Sequence, residues 1–180
     1  HRGFAGQGED RTARIRLDLE RAVKGGSVSV RVGDRTLQVK VPPGVTEGQR
    51  IRLTGQGTPG IGGGPAGDLY LEVHIKPHPY FRLEGRDVHL DLPITPWEAA
   101  LGATVNVPTL DGRVDMKIPA GSQSGRRLRL KGRGLPGTPP GDQYLVLQIH
   151  TPPADEKSAR SLYERMSREM PFDPRAHLRS

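Results

Sequence analysis

Cysteine is absent from all 180 residues, which excludes disulfides and thiolate zinc sites at once. Aromatic residues make up only 4% of the chain and hydrophobic residues 33%. Any core is therefore thin, and small sheets lined by Val, Leu and Ile suit it better than one large interior. No long apolar run is present, so no membrane-spanning helix is expected. The opening stretch "HRGFAGQGED" has neither methionine nor a signal-like segment. The expectation is a piece of a longer protein, cut at a glycine-containing linker with something upstream.

Glycine (24) and proline (17) are abundant instead, and they punctuate short runs in which apolar and polar residues alternate. Examples are Ile15, Leu17, Leu19; Val28, Val30, Val32; Leu37, Val39, Val41; Leu69, Leu71, Val73, Ile75; Val88, Leu90, Leu92; and Leu145, Leu147, Ile149. A period of two between turn residues predicts half-buried antiparallel strands, and an all-β chain. Gly33-Asp34 and Asp111-Gly112 predict two tight hairpins. Helix is scarce: "LERAVKG" and "TPWEAAL" each predict a turn or two, the second opened by a Thr95/Glu98 capping box with Pro96 behind it. One longer helix is expected near the end, where Ala159, Leu162, Met166 and Met170 recur at helical spacing beside Tyr163, and Pro171 stops it. Its stripe suits either packing on the preceding strands or pairing with its copy in a second chain.

The glycine spacing of a dinucleotide-binding turn occurs in Gly55-x-Gly57-x-x-Gly60, but it recurs as Gly132-x-Gly134-x-x-Gly137. The recurrence belongs to a longer repeat. "VKVPPGVTEGQRIRLTGQGTPG" (39–60) matches "MKIPAGSQSGRRLRLKGRGLPG" (116–137) at a constant offset of 77, with 11 identities in 22 positions. The match runs on through Gly67-Asp68 against Gly141-Asp142 and back through "RAVKGGSVSV" against "EAALGATVNV". The chain thus reads as two tandem copies of one β module, with a seam near Leu83 to Asp87. A strand rather than a helix follows each glycine stretch, so there is no helix N-terminus to hold a pyrophosphate. The glycines are read as turn positions, and Ile61 to Ala66, present only in the first copy, as a flexible excursion.

No enzyme is expected, and no catalytic residue is assigned. His74 and His78 have prolines between and beside them and no obvious carboxylate partner. His89 and His150 fall on polar strand phases and read as solvated, and Asp68 and Asp142 read as turn caps. No metal or cofactor is expected. The net charge of +7 and pI near 10.1 fit an anionic partner as well as they fit an ordinary charged surface. The densest basic run puts Arg127, Arg129 and Lys131 on one strand face. That is a phosphate contact or, favoured by the missing aromatic interleaving, a solvated outer face.

Four stretches, "VKVPPGVTEGQRIRLTGQGTPG", "GDLYLEVHIKPHPYFRLEGRDV", "ITPWEAALGATVNVPTLDGRV" and "MKIPAGSQSGRRLRLKGRG", resemble the C-terminal region of DnaJ-type (J-protein) co-chaperones over roughly residues 13 to 150. "PFDPRAHLRS", "TPWEAALGA" and "GGPAGDLYL" are most similar to the bacterial curved-DNA-binding protein branch. The resemblance implies a linker end (1–10), a first β-sandwich substrate-binding domain (11–83), a second β-sandwich (84–152) and a C-terminal dimerisation helix and tail (153–180). It implies a homodimer that holds non-native polypeptides for a DnaK-type ATPase, in the cytoplasm or at the nucleoid, with double-stranded DNA as an alternative partner. By position, Ile15, Val28, Val30, Val32 and Phe81 would line the peptide groove, although Ile15 and Val30 equally suit plain core. The terminal helix becomes a dimer contact through Leu162, Tyr163, Met166 and Met170. The His-Pro-Asp turn of a J domain is not in this sequence, since Tyr80 follows His78-Pro79, so the piece by itself is not expected to stimulate an ATPase. A tight Gly33-Asp34 hairpin stands where the other DnaJ class carries its zinc insert, which implies the zinc-free class.

Overall fold

A computed structural model describes residues 3–179. Of the expected linker, residues 1 and 2 lie outside the described residues, as does residue 180. The chain runs β1 (Arg11–Leu17), α1 (Leu19–Lys24), β2 (Gly26–Val32), β3 (Arg35–Val41), β4 (Arg50–Leu53), β5 (Leu69–Ile75) and β6 (Phe81–Glu84). It continues β7 (Asp87–Ile94), α2 (Pro96–Leu101), β8 (Ala103–Thr109), β9 (Gly112–Ile118), β10 (Arg127–Leu130), β11 (Gln143–Ile149) and α3 (Lys157–Glu169). The all-β reading holds, and so do both hairpins: β2 pairs with β3 around Gly33, and β8 with β9 around Gly112.

Each repeat packs one hairpin on one sheet. The first sheet has the order β1-β5-β4 and the second β10-β11-β7-β6. Inward-facing aliphatics of both layers merge into a core in each case. Ile15, Val39, Val41, Leu69, Leu71 and Val73 form the first, and Val88, Leu90, Val107, Leu135 and Leu145 the heart of the second. Burying a side chain of this size contributes about 1.5–3 kcal/mol, which lets short strands hold without large aromatics.

One expectation is corrected. The strands are not all antiparallel: β1 runs parallel to β5, and β7 parallel to β11. Parallel neighbours need a long crossover, and here the intervening hairpin and the short β4 or β10 supply it. The strands on either side of the expected 83/84 seam share one sheet. β6 pairs with β7, and Phe81, 7% exposed, sits in the second core. Pro77 and Pro79 cannot continue the β5 ladder, so the chain leaves the first sheet after Ile75. Leu19 and Val23 of α1 reach across and pack on that second core, which joins the two repeats.

Of the two short helices, α2 stands where its cap places it. Thr95 and Glu98 close a full capping box at α2. The third helix, α3, buries none of its residues. Among the described residues, no helix is long and apolar enough to cross a membrane.

Candidate functional site

The glycine loops have a tertiary task. In the first repeat the Thr58 N–H donates to the Glu9 carbonyl, and in the second the Leu135 N–H donates to the Arg86 carbonyl, each at 2.8 or 2.9 Å. The Asp68 N–H donates to Asp10 Oδ1 at 2.7 Å, and the Asp142 N–H to Asp87 Oδ1 at 2.8 Å. Each loop thus clasps the chain at the start of the strand that pairs in parallel in its sheet, β1 in the first repeat and β7 in the second. A Cβ on Gly67 would lie 2.1 Å from the Glu9 oxygen, and one on Gly141 would lie 1.9 Å from the Arg86 oxygen. These glycines are required by close backbone approach. The Ile61–Ala66 excursion is likewise not a free flap. Gly6 and Ile61 exchange backbone hydrogen bonds at 2.9 Å, and the Gly8 N–H donates to the Pro65 carbonyl at 2.8 Å. The first copy is longer because it straps residues preceding β1.

Asp68 and Asp142 cap these loops as expected. Asp68 accepts from the Gly55 N–H at 2.9 Å and from Arg52 Nε at 2.8 Å. Asp142 does the same with Gly132 at 2.8 Å and Arg129 at 3.0 Å. The backbone donor first, and the guanidinium second, hold both carboxyl groups below the usual carboxylate range.

In the first module an open groove lies between β1 and β2. It encloses about 350 Å³ and is floored by Ile15, Leu17, Val28 and Val30. Both strands stand at the ends of their sheets, so each turns an unpaired backbone edge towards the groove. Val32 packs against the same core but is not part of the groove lining. Phe81 is brought elsewhere, into the second core with Leu19. The floor also carries core, because Ile15 is only 5% exposed while Val28 and Val30 are half-buried.

Arg127 and Arg129 are where the strand alternation placed them, but they are not free; Lys131, expected on the same strand face, falls past the end of β10 in the turn that follows. Arg129 is bound to Asp142, and the Arg127 guanidinium lies 4.4 Å from the centre of the Tyr144 ring. Lys131 is exposed. The first repeat copies the arrangement, with Arg50 over Tyr70 at 4.8 Å and Arg52 on Asp68. The stacking tyrosines were legible as the Gly-Asp-x-Tyr of both copies, yet their arginine partners lie on a neighbouring strand. His89 is not solvated: its side chain is 14% exposed, pairs with Glu84 at 3.1 Å and stacks on Tyr144. His74 does have carboxylate partners, Glu47 at 2.8 Å and Glu72 at 3.0 Å. Among the described residues no group of three or more potential ligands is arranged to hold a metal.

On α3, Leu162 (65% exposed), Met166 (45%) and Met170 (67%) form an outward apolar stripe. Tyr163 departs from it, since its hydroxyl donates to the Pro152 carbonyl of its own chain. Phe172 and Leu178 beyond the helix are also exposed and were missed, because neither falls on a periodic pattern.

Residues 11–152 match the DnaJ C terminal domain. A relative named "Curved DNA-binding protein" from Coxiella burnetii is 51% identical over a 189-residue alignment, covering 97% of this chain and 60% of the relative. Relatives of the same name from Salmonella arizonae and Pseudomonas putida are 52% and 50% identical over 143 residues. Each alignment covers 78% of this chain, with 47% and 45% of the respective relative. The chain therefore spans between about half and three fifths of the curated relatives it matches. With two clasped β modules and this match over most of its length, the chain belongs to the DnaJ C-terminal domain family.

Proposed function

We propose that this chain is the polypeptide-binding region of a zinc-free J-protein co-chaperone. It holds extended apolar segments of non-native proteins in the groove between β1 and β2, and acts as a homodimer through α3. Modules at residues 11–75 and 81–152, separated by the connection at 76–80, are the proposed division in place of the boundary at 83/84. The bound client passes to a DnaK-type ATPase in the cytoplasm, which needs the J domain of a longer chain.

The observation that carries this reading is the pair of unpaired strand edges flanking an aliphatic floor. An extended segment satisfies such an edge by strand addition, while its alternate side chains reach the floor. Ile15, Val28 and Val30 are the proposed contacts. Val32 supports them from the core, and Phe81 acts only through the second module.

Val30→Asp places a charge on that floor, which desolvation by a bound apolar segment penalises. The expected result is that suppression of client aggregation, followed by light scattering, needs roughly ten-fold more of the variant. Circular dichroism checks that it is folded. Suppression equal to the parent by a folded Val30→Asp variant overturns the groove.

A second reading rests on the name carried by the relatives, and on Arg127 and Arg129 sharing one face of β10 with exposed Lys131 next after its end. It is a contact with the phosphates of double-stranded DNA, which would place the protein at the nucleoid. Both arginines already have partners and would have to exchange them for phosphate. The logarithm of the binding constant, read from the anisotropy of a labelled duplex, is expected to fall linearly with log salt, and replacing both arginines by Ala is expected to reduce the slope by roughly two. Salt-insensitive binding, or an unchanged slope, removes this reading.

A further inference from the structure

The groove between β1 and β2 has an apolar floor and a cationic rim. β1 turns Ile15 and Leu17 inward and Arg14 and Arg16 outward, and on the opposite wall β2 turns Val28 and Val30 inward and Arg31 outward. Arg21 and Lys76 extend the same lining. Among the described residues no ion pair reaches Arg14, Arg16, Arg21 or Arg31. Arg31 Nε only donates to the Gly33 carbonyl at 3.3 Å, and Arg21 to the Gly25 carbonyl at 3.0 Å.

The nearby acids are engaged elsewhere. Asp18 faces Lys76 at 3.5 Å. Glu72 sits across the ladder from Arg14 but contacts His74 at 3.0 Å. Among the described residues Arg14, Arg16, Arg21 and Arg31 are thus left without an ion pair where a bound strand would run.

A segment added to the free edge of β1 adopts the same pleat, so its side chains alternate between floor and rim. Side chains level with Ile15 and Leu17 meet aliphatics, and those level with Arg14 and Arg16 meet guanidinium groups. Opposite charges paired across neighbouring strands each favour association, and like charges oppose it.

Resting on the proposed peptide groove, we infer that this site selects extended segments in which apolar residues alternate with Asp or Glu, and rejects those in which they alternate with Lys or Arg. The preference lies in Arg14, Arg16 and Arg31, whereas the apolar floor supplies affinity common to all clients. It favours the apolar–acidic strands of non-native proteins over basic ones.

The test uses the full 180-residue chain and short fluorescein-labelled peptides of alternating Leu/Asp, Leu/Gln and Leu/Lys, followed by anisotropy. Leu/Asp is expected to bind about ten-fold tighter than Leu/Gln at low salt, from a few exposed charge pairs acting together. Leu/Lys is expected to be the weakest, and the spread should shrink in high salt. A Leu/Asp peptide of identical composition with its acids clustered at one end should lose most of the advantage, since register produces it. The combined Arg14→Gln and Arg31→Gln variant should bring Leu/Asp to the Leu/Gln level while leaving Leu/Gln itself within about two-fold. Equal binding of Leu/Asp and Leu/Gln, both abolished by Val30→Asp, overturns the selectivity and keeps the groove. Binding of every peptide untouched by a folded Val30→Asp variant overturns the groove, and the selectivity with it.

Discussion

Gly141→Ala is expected to destabilise the second module by about 2–4 kcal/mol, lowering its melting temperature by roughly 10 °C or more. The added Cβ would sit 1.9 Å from the Arg86 oxygen and 2.4 Å from its carbonyl carbon. Neither is the end of a flexible side chain, so backbone has to move. Moving Arg86 loosens the hydrogen bond it accepts from the Leu135 N–H, and Leu135 is a fully buried core residue. The φ angle of Gly141 is not positive, so the whole penalty is steric. Gly132→Ala is the control. Its φ is +74°, but a Cβ there meets only Pro140 at 3.8 Å, and the cost should stay at about 1–2 kcal/mol from left-handed strain alone. Denaturant titration of both variants decides. A Gly141→Ala variant no worse than Gly132→Ala refutes the clasp and returns these glycines to plain turns.

A second large effect is expected at α3. Replacing Leu162 and Met166 by Asp should convert a dimer into a monomer, raising the dissociation constant by more than about a hundred-fold. A two-fold interface counts each change twice, and both side chains are exposed in the single chain. An amphipathic helix that buries nothing of its own gains little from its sequence alone and needs a partner surface to be stable. Sedimentation velocity across a concentration series reads the outcome. A dimer that survives both substitutions, or a parent chain that is monomeric throughout, refutes the helix as a dimer contact. Tyr163→Phe is expected to leave the oligomeric state alone, because that hydroxyl bonds to Pro152 of its own chain.

Much of this chain could be read from local chemistry. The alternation of Val, Leu and Ile marked the strands, Gly33 and Gly112 marked the hairpins, and Thr95 with Glu98 marked the start of α2. Each signal is completed within a few residues, so a linear text carries it. The constant offset of 77 exposed the doubling, because two copies of one module must repeat the same solution to the same packing problem. The candidate groove was legible in part: Ile15, Val28 and Val30 share it, since their phase along β1 and β2 points them inward.

Contacts between distant segments decided the remainder. A period of two is identical in parallel and antiparallel ladders, so only the tertiary fold placed β1 beside β5 in parallel. Phe81 looked like a groove residue until the pairing of β6 with β7 carried it into the other core. Likewise, the Glu9 and Arg86 carbonyls that forbid a side chain at Gly67 and Gly141 are far from those glycines in sequence. Arg127 and Arg129 read as a phosphate contact or a solvated face until Tyr144 of β11 and Asp142 just before it supplied their partners. The sequence by itself determined which residues face inward and where the chain turns, because those choices rest on neighbours in the chain. The tertiary structure alone decided which strand edges stay open and which arginines stay unpaired, because both depend on what is brought up against them from far away.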